Sequence, residues 1–343
     1  MRLCAPCAGR PDAMTATNRL TASTDADSTA ISNDHGATAT ATTWQLVAGF
    51  LTVYIVWGST YLAIHWGVET IPPFGMGAVR FLTAGSILYG WCRCRGAKKP
   101  TLGQWKASAV IGALLLFVGN GAVSWASQRV SSGLTSVLVA TVPLWLVLCE
   151  LWQGKRPDVL KVIGVLIGLA GVALLVLPTG AATDTVDPMG AVVLALAALS
   201  WTIGSLYSRT ARQSASPGLA IAMQMLVGGA LLLTLSLALG EWTPELQVSA
   251  RSAASVLYLI VFGSLIGFST YMWLLKVASP AAVGTYAYVN PAVAVLLGVL
   301  LAGERIPARA VVAMTVILGG VAMVSIAGGG AKRMVTAVWR ARS

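Results

Sequence analysis

Ten times along this chain, a run of about 20 residues holds almost nothing but apolar side chains, the length a helix needs to cross bilayer hydrocarbon. This pattern constrains the fold strongly, because lipid offers no partner for a free backbone amide and a spanning segment must satisfy its own. The runs lie roughly at 45–66, 73–92, 107–126, 131–150, 161–178, 189–207, 218–240, 252–275, 281–301 and 310–328. Only 10% of residues are charged and the mean hydropathy is +0.77, outside the range of soluble domains. The expected fold is therefore an all-α integral membrane protein with ten transmembrane helices.

The formal charge of +11 does not indicate nucleic acid, since the basic residues sit in short loops between apolar runs and form no continuous basic face. Their placement sets topology instead. With the N-terminus in the cytoplasm, the inner loops hold Arg93, Arg95, Lys98, Lys99 and Lys106, then Lys155, Arg156 and Lys161, then Arg209, Arg212 and Lys276. The outer loops keep Arg129, Arg251, Arg305 and Arg309 beside Glu69, Asp184, Asp187, Glu241 and Glu245. Both termini are expected to be cytoplasmic, in a multi-pass protein of the cell (inner) membrane. Residues 1–43, rich in Ala, Thr, Ser and Asp, are expected to be a disordered cytoplasmic tail, and 329–343 a basic one. No secretory signal is expected at the N-terminus. Cys4, Cys7, Cys92, Cys94 and Cys149 lack the partners of a zinc site, so no metal and no cofactor is expected.

The two halves echo one another at a nearly constant offset. "VRFLTAG" around Arg80 and Gly85 matches "MQMLVGG" around Gln224 and Gly229, and Trp57 matches Trp201. Gly119, Trp125, Ser131 and Pro143 match Gly267, Trp273, Ser279 and Pro291, and "GVALLV" from Gly171 matches "GVAMVS" from Gly320. This gives a first repeat over 44–178 and a second over 189–328. Five helices per repeat is an odd number, so the second copy enters the membrane from the opposite face. Inverted repeats are a common architecture of secondary transporters, in which equivalent halves exchange conformations around a central site.

The residues "VWGSTYLAIHWGVETIPPFGMGAVRFLTAG" from Val56, "ALSWTIGSLYSR" from Ala198 and "YVNPAVAVLLGVLLAGE" from Tyr288 carry a family resemblance. The chain resembles the EamA-type permeases of the drug/metabolite transporter superfamily over essentially everything after the tail. The resemblance implies ten helices in two inverted halves and export of small metabolites, often amino acids or drug-like compounds. The first repeat departs from the second at "CELWQGKRP", Cys149 to Pro157, where the second has "GERIP", Gly303 to Pro307. A role for the Glu304 position is therefore not expected in both halves.

Polar groups inside apolar spans mark the candidate site. Arg80 falls about seven residues into its helix, roughly 10 Å deep at 1.5 Å per residue. Arginine at a helix centre costs about 2.5–3.5 kcal/mol, so it must face the bundle interior or snorkel to the outer interface. The interior is the expected placement, where its planar cation could pair with a substrate carboxylate or with carbonyls at a helix break. Gln224 is its neutral counterpart in the second half. Tyr54, Trp57, Tyr61 and His65 share one helical face. Trp57 and Tyr61 are expected to line a cavity, with Ser59 beside them and Trp201 as the counterpart of Trp57, while His65 and Trp66 belong to an interfacial belt. Tyr286 and Asn290 precede Pro291, which like Pro143 removes a backbone donor and breaks or bends its helix. Asn120, Trp125, Tyr271 and Trp273 complete the candidate substrate-binding set, and "GVLIG" from Gly164 is expected to be close helix packing.

No GxxxxGK[ST] segment is present, which excludes nucleotide hydrolysis by that route. No acid lies deep in a span, leaving His65 and Glu304 as the only titrating groups that could couple protons. The expected function is a secondary transporter exporting small polar metabolites, such as amino acids, or drug-like compounds. Its partners are then a small-molecule substrate and membrane lipids, and it is a monomer or homodimer. The alternative is a membrane-embedded enzyme acting on a lipid or isoprenoid, for which two histidines and no HExxH motif are poor equipment.

Overall fold

The computed structural model describes residues 42–154, 156–176, 187–214, 216–278, 280–304 and 306–327. The two expected tails, apart from Thr42 and Thr43, lie outside these residues, as do Asp184, Lys155, Arg305 and Ser279. Every regular element among the described residues is helical. Helix α1 runs Thr43–Gly67, α2 Pro73–Cys94, α3 Leu102–Ala126 and α4 Ser132–Trp152, and α5 Val159–Val176. Helix α6 runs Pro188–Thr210, α7 Pro217–Ala238, α8 Ala250–Val277, α9 Tyr286–Ala302 and α10 Ala308–Ala327.

Local chemistry fixes the boundaries. Thr42 and Thr101 each form a capping box with the glutamine three residues on, satisfying two orphan backbone donors apiece. Because of the second box, α3 starts five residues earlier than its apolar run at 107. Asp187 accepts from the amides of Met189 and Gly190 to open α6. Pro73, Pro188 and Pro217 occupy first turns, where no amide is missed. Gly303 ends α9 with φ +63°, a left-handed C-terminal cap.

Six of these helices (α1, α3, α4, α6, α7 and α8) are long and apolar enough to cross a membrane. Helix α2 has 22 residues but includes Arg80 and Arg93. The apolar stretches of α5, α9 and α10 are shorter, Val159–Leu174, Val289–Ala302 and Ala308–Val324. Exposed side chains such as Leu51, Ile55, Ile87, Leu166, Leu196 and Leu300 would burden a soluble protein but match a lipid surface. The chain is a multi-pass membrane protein.

Two close helix pairs bind the halves together. In α2 against α7, a Cβ on Gly85 would come within 3.0 Å of the Leu226 amide, and one on Gly229 within 2.9 Å of the Leu82 amide. In α5 against α10, a Cβ on Gly171 would reach within 2.9 Å of the Ile317 amide, and one on Gly320 within 2.5 Å of the Gly168 amide. Small residues let these backbones approach where lipid supplies no hydrophobic drive between helices. "GVLIG" thus sits in helix packing.

The helices are not regular throughout. Helix α4 breaks between Val139 and Val142, and Pro143 lies in the first turn of its second piece. Ahead of α9, the short turn Pro280–Val283 is separated from Tyr286, so the break falls nearly two turns before Pro291, which lies inside the helix. Three π-helical segments interrupt the ladder: Val53–Trp57 in α1, Ala113–Asn120 in α3 and Leu259–Phe268 in α8.

Candidate functional site

All three π segments face one cavity. An i→i+5 turn shifts the hydrogen-bond register, and carbonyls near the switch need other donors. Side chains supply them here. The Thr60 hydroxyl donates to Trp57 O at 2.7 Å, and the Ser200 hydroxyl to Leu114 O at 2.8 Å. The Asn120 amide donates to Leu115 O at 3.1 Å, and the Trp57 indole to Gly263 O at 3.4 Å. The same irregularities place Trp57, Asn120 and Gly263 on the cavity wall.

The cavity is narrow and partly open, with about 640 Å³ of empty space between its walls when the open solvent at its mouth is included. From the sequence-predicted set, Trp57, Tyr61, Arg80, Asn120, Trp201 and Tyr286 line it. An aromatic cluster closes one side. The Trp57 ring meets Tyr271 at 4.7 Å and stands nearly perpendicular to Trp201 and Tyr286, each at 5.6 Å between centroids. Tyr271 backs this cluster, with its hydroxyl 3.2 Å from the Trp201 indole nitrogen and 3.0 Å from the Ser205 hydroxyl.

Arg80 is the charged member of the lining. Its side chain is in the interior, 5% exposed, and does not snorkel. The Nε–H donates to the Ser264 hydroxyl at 2.8 Å, and the guanidinium lies 4.7 Å from the Phe81 ring centre. Ser264 belongs to the π segment of α8, so this bond ties the two halves of the chain. Gly263 makes room for it, since a Cβ there would stand 2.9 Å from Arg80 Nη2. Among the described residues, the ion pairs are Arg129–Asp187, Lys161–Glu150 and Arg251–Glu69, and none involves Arg80.

Other predicted residues point elsewhere. Ser59 donates to Val56 O and meets the Tyr258 hydroxyl at 2.7 Å, in a separate groove with Trp66 and Leu301. It sits two positions after Trp57, which turns it away from the cavity. Trp125 lies under Arg129, 4.0 Å from its guanidinium carbon, near the end of α3. Trp273 packs on Gly49. Gln224 is fully buried and donates to Gln213 Oε1 at 3.0 Å, because α7 packs on α2 and α3 behind the cavity wall. Asn290 is 2% exposed, and neither its Oδ1 nor its Nδ2 finds a hydrogen-bond partner among the described residues. Its carbonyl faces Gly58 in α1. His65 Nδ1 lies 2.9 Å from Ser127 O.

The sequence reading missed Thr60, Ile64, Phe81, Leu116, Val139 and Phe268 on the wall, and Gly263 and Ser264 around Arg80. Apolar wall residues look like any others in an apolar span. Thr60 and Ser264, hydroxyls inside apolar spans, were the legible signals.

Two contacts relate the halves at this site. A Cβ on Gly119 would meet the Trp201 ring at 3.2 Å, and one on Gly267 would meet the Trp57 indole nitrogen at 2.7 Å. The EamA-like transporter family model matches twice, over residues 44–177 and 188–326. The chain belongs to the EamA-like transporter family. It is 40% identical over 283 residues to the uncharacterized inner membrane transporter YedA of Escherichia coli K12, covering 82% of this chain and 90% of that one. It is 25% identical over 280 residues to a chloroplastic WAT1-related protein of Arabidopsis thaliana, covering 79% and 67%. A solved crystal structure shares the fold with a TM-score of 0.59 at 23% identity, over 83% of this chain and 98% of that one. Membership in the EamA-like family makes this chain a membrane transporter and sets aside the membrane-embedded enzyme.

Proposed function

We propose that this EamA-like protein is a secondary carrier that exports a small polar organic solute across the cytoplasmic membrane by alternating access to the Trp57–Arg80–Tyr286 cavity. The observation that carries the reading is the shared construction of that cavity: Trp57, Tyr61, Arg80 and Asn120 come from the first half, and Trp201, Gly263 and Tyr286 from the second. A site so built changes access when the halves move against one another. Ten spanning helices in two inverted halves, with both termini cytoplasmic, are part of the proposal. Support comes from contacts that recur with the halves exchanged. Gly85 on Leu226 answers Gly229 on Leu82, Gly171 on Ile317 answers Gly320 on Gly168, and Trp57 on Gly267 answers Trp201 on Gly119.

The test compares metabolites in medium from cells with and without the protein, followed by counterflow of each enriched compound in liposomes holding the purified chain. A saturable exchange that depends on the protein supports the carrier. Identical media, together with liposomes that exchange nothing, would remove it.

A further inference from the structure

The polar inventory of the cavity is lopsided, and the imbalance selects a ligand charge. Arg80 brings one positive charge into a wall that is otherwise mostly apolar and aromatic. Its one hydrogen bond among the described residues is Nε–H to Ser264, and none of the ion pairs found there neutralises it. The guanidinium carries five N–H donors, so four remain on its two terminal nitrogens, in a side chain that lines the cavity while being 95% removed from solvent. A buried cation without a counter-ion is costly, and the cost is recovered when an anion enters and takes those donors as a planar fork.

Two neighbours hold the fork in place. Ser264 fixes the Nε edge, and the Phe81 ring lies against the guanidinium 4.7 Å away. The absence of a side chain at Gly263 lets Nη2 take this position, where a Cβ would stand 2.9 Å away. On the same cavity wall, Trp57, Trp201 and Tyr286 form an aromatic corner, with Trp57 edge-to-face against the other two. Among the described residues no Asp or Glu lines the cavity, so a substrate ammonium would enter a space already holding a cation without an ion-pair partner there.

We infer that the preferred substrate is an organic monoanion, a carboxylate on an apolar or aromatic body without a compensating amine, with its carboxylate on the terminal nitrogens of Arg80 and its body against Trp57 and Tyr286. This rests on the carrier reading and narrows it. Cationic drug-like compounds and free amino acids become poorer ligands than the matching amine-free acids.

A matched set of probes isolates the charge: 3-phenylpropanoate, 3-phenylpropanamide, phenylalanine and 2-phenylethylammonium share one aromatic body. Binding is measured calorimetrically on the full chain in detergent, and transport by counterflow in liposomes. The propanoate should bind about tenfold or more tighter than the amide and phenylalanine, as a charge-assisted fork implies, and the ammonium weakest. Arg80→Gln should bring the propanoate down to the level of the amide without changing the amide. Arg80→Lys should keep only part of the preference, because its point charge lacks the fork. Should Arg80→Gln fail to fold, Ser264→Ala keeps the charge and tests positioning, with a several-fold loss for the propanoate alone. Arg251→Gln, outside the cavity, should alter nothing.

If the amino acid or the ammonium binds best, or if Arg80→Gln leaves the propanoate preference intact, the anion assignment is wrong although the carrier stands. Failure of all four probes to bind also overturns it. The carrier reading itself falls only if cell media and liposome exchange are also unchanged by the protein.

Discussion

Gly263 and Asn290 show how single residues set the behaviour of the site. An added methyl at position 263 would stand 2.9 Å from Arg80 Nη2, closer than a Cβ atom is found, and 3.1 Å from Thr60 Cγ2, a tight contact. Gly263→Ala should therefore push the guanidinium aside at a cost of about 1–3 kcal/mol from overpacking. Counterflow of an anionic probe should fall more steeply than the melting temperature, and unchanged counterflow would mean that Arg80 does not touch the solute. Asn290 presents the opposite case, a buried amide whose side-chain atoms have no partner among the described residues. Leaving such a group unsatisfied costs about 1–3 kcal/mol, and an apolar replacement of similar shape removes the cost. Asn290→Leu should raise the melting temperature of the protein in detergent. A lower value would show that the amide is bonded in the conformation that prevails in solution.

The helices were legible in the sequence and their irregularities were not. Apolar runs place every helix to within about five residues; the start of α3 was missed by overlooking the Thr101–Gln104 capping box, and that of α9 by the break ahead of Tyr286. A π turn leaves the apolar pattern intact, so the three segments that shape the cavity left no mark in it. They also explain the mixed record of the site residues. Trp57, Tyr61, Arg80, Asn120, Trp201 and Tyr286 reach the cavity, whereas Ser59, Trp125 and Trp273 are equally unusual in an apolar run but face other neighbours. Glu304 was legible as a residue but not in its role. Its carboxylate accepts from the amides of Ser132 at 2.9 Å and Gly133 at 3.3 Å, capping α4 from the far end of α9. A carboxylate at a helix N-terminus is stabilising, and loss of such a cap costs about 0.5–2 kcal/mol. Glu304→Ala should lower the melting temperature accordingly, while Glu304→Gln keeps an acceptor and should leave counterflow largely intact. Complete loss of counterflow in a well-folded Glu304→Gln protein would assign the carboxylate a part in coupling.

At the scale of the whole molecule, charge separates the two ends of the bundle. The end that holds the first turns of α2, α4, α6 and α8 carries the acidic side chains. Glu241 accepts from the Gly75 amide at 2.8 Å, Glu304 caps α4, Asp187 lies 3.7 Å from Arg129, and Glu69 lies 3.6 Å from Arg251. The opposite end holds Arg93, Arg95, Lys98, Lys99 and Lys276, with Lys161 paired to Glu150 at 3.0 Å. Short loops rich in Lys and Arg stay on the cytoplasmic side. On the proposed topology the acidic end is the outer one, and ten spans would return the C-terminus to the cytoplasm. A reporter active only outside the cytoplasm should be silent when fused after Lys99 or Lys332 and active after Asp184. The Asp184 fusion is decisive for inversion, because an even number of spans in the first half would leave the two halves parallel and keep it silent. Silence after Lys332, with activity after Asp184, is the pattern that two five-helix halves of opposite orientation require.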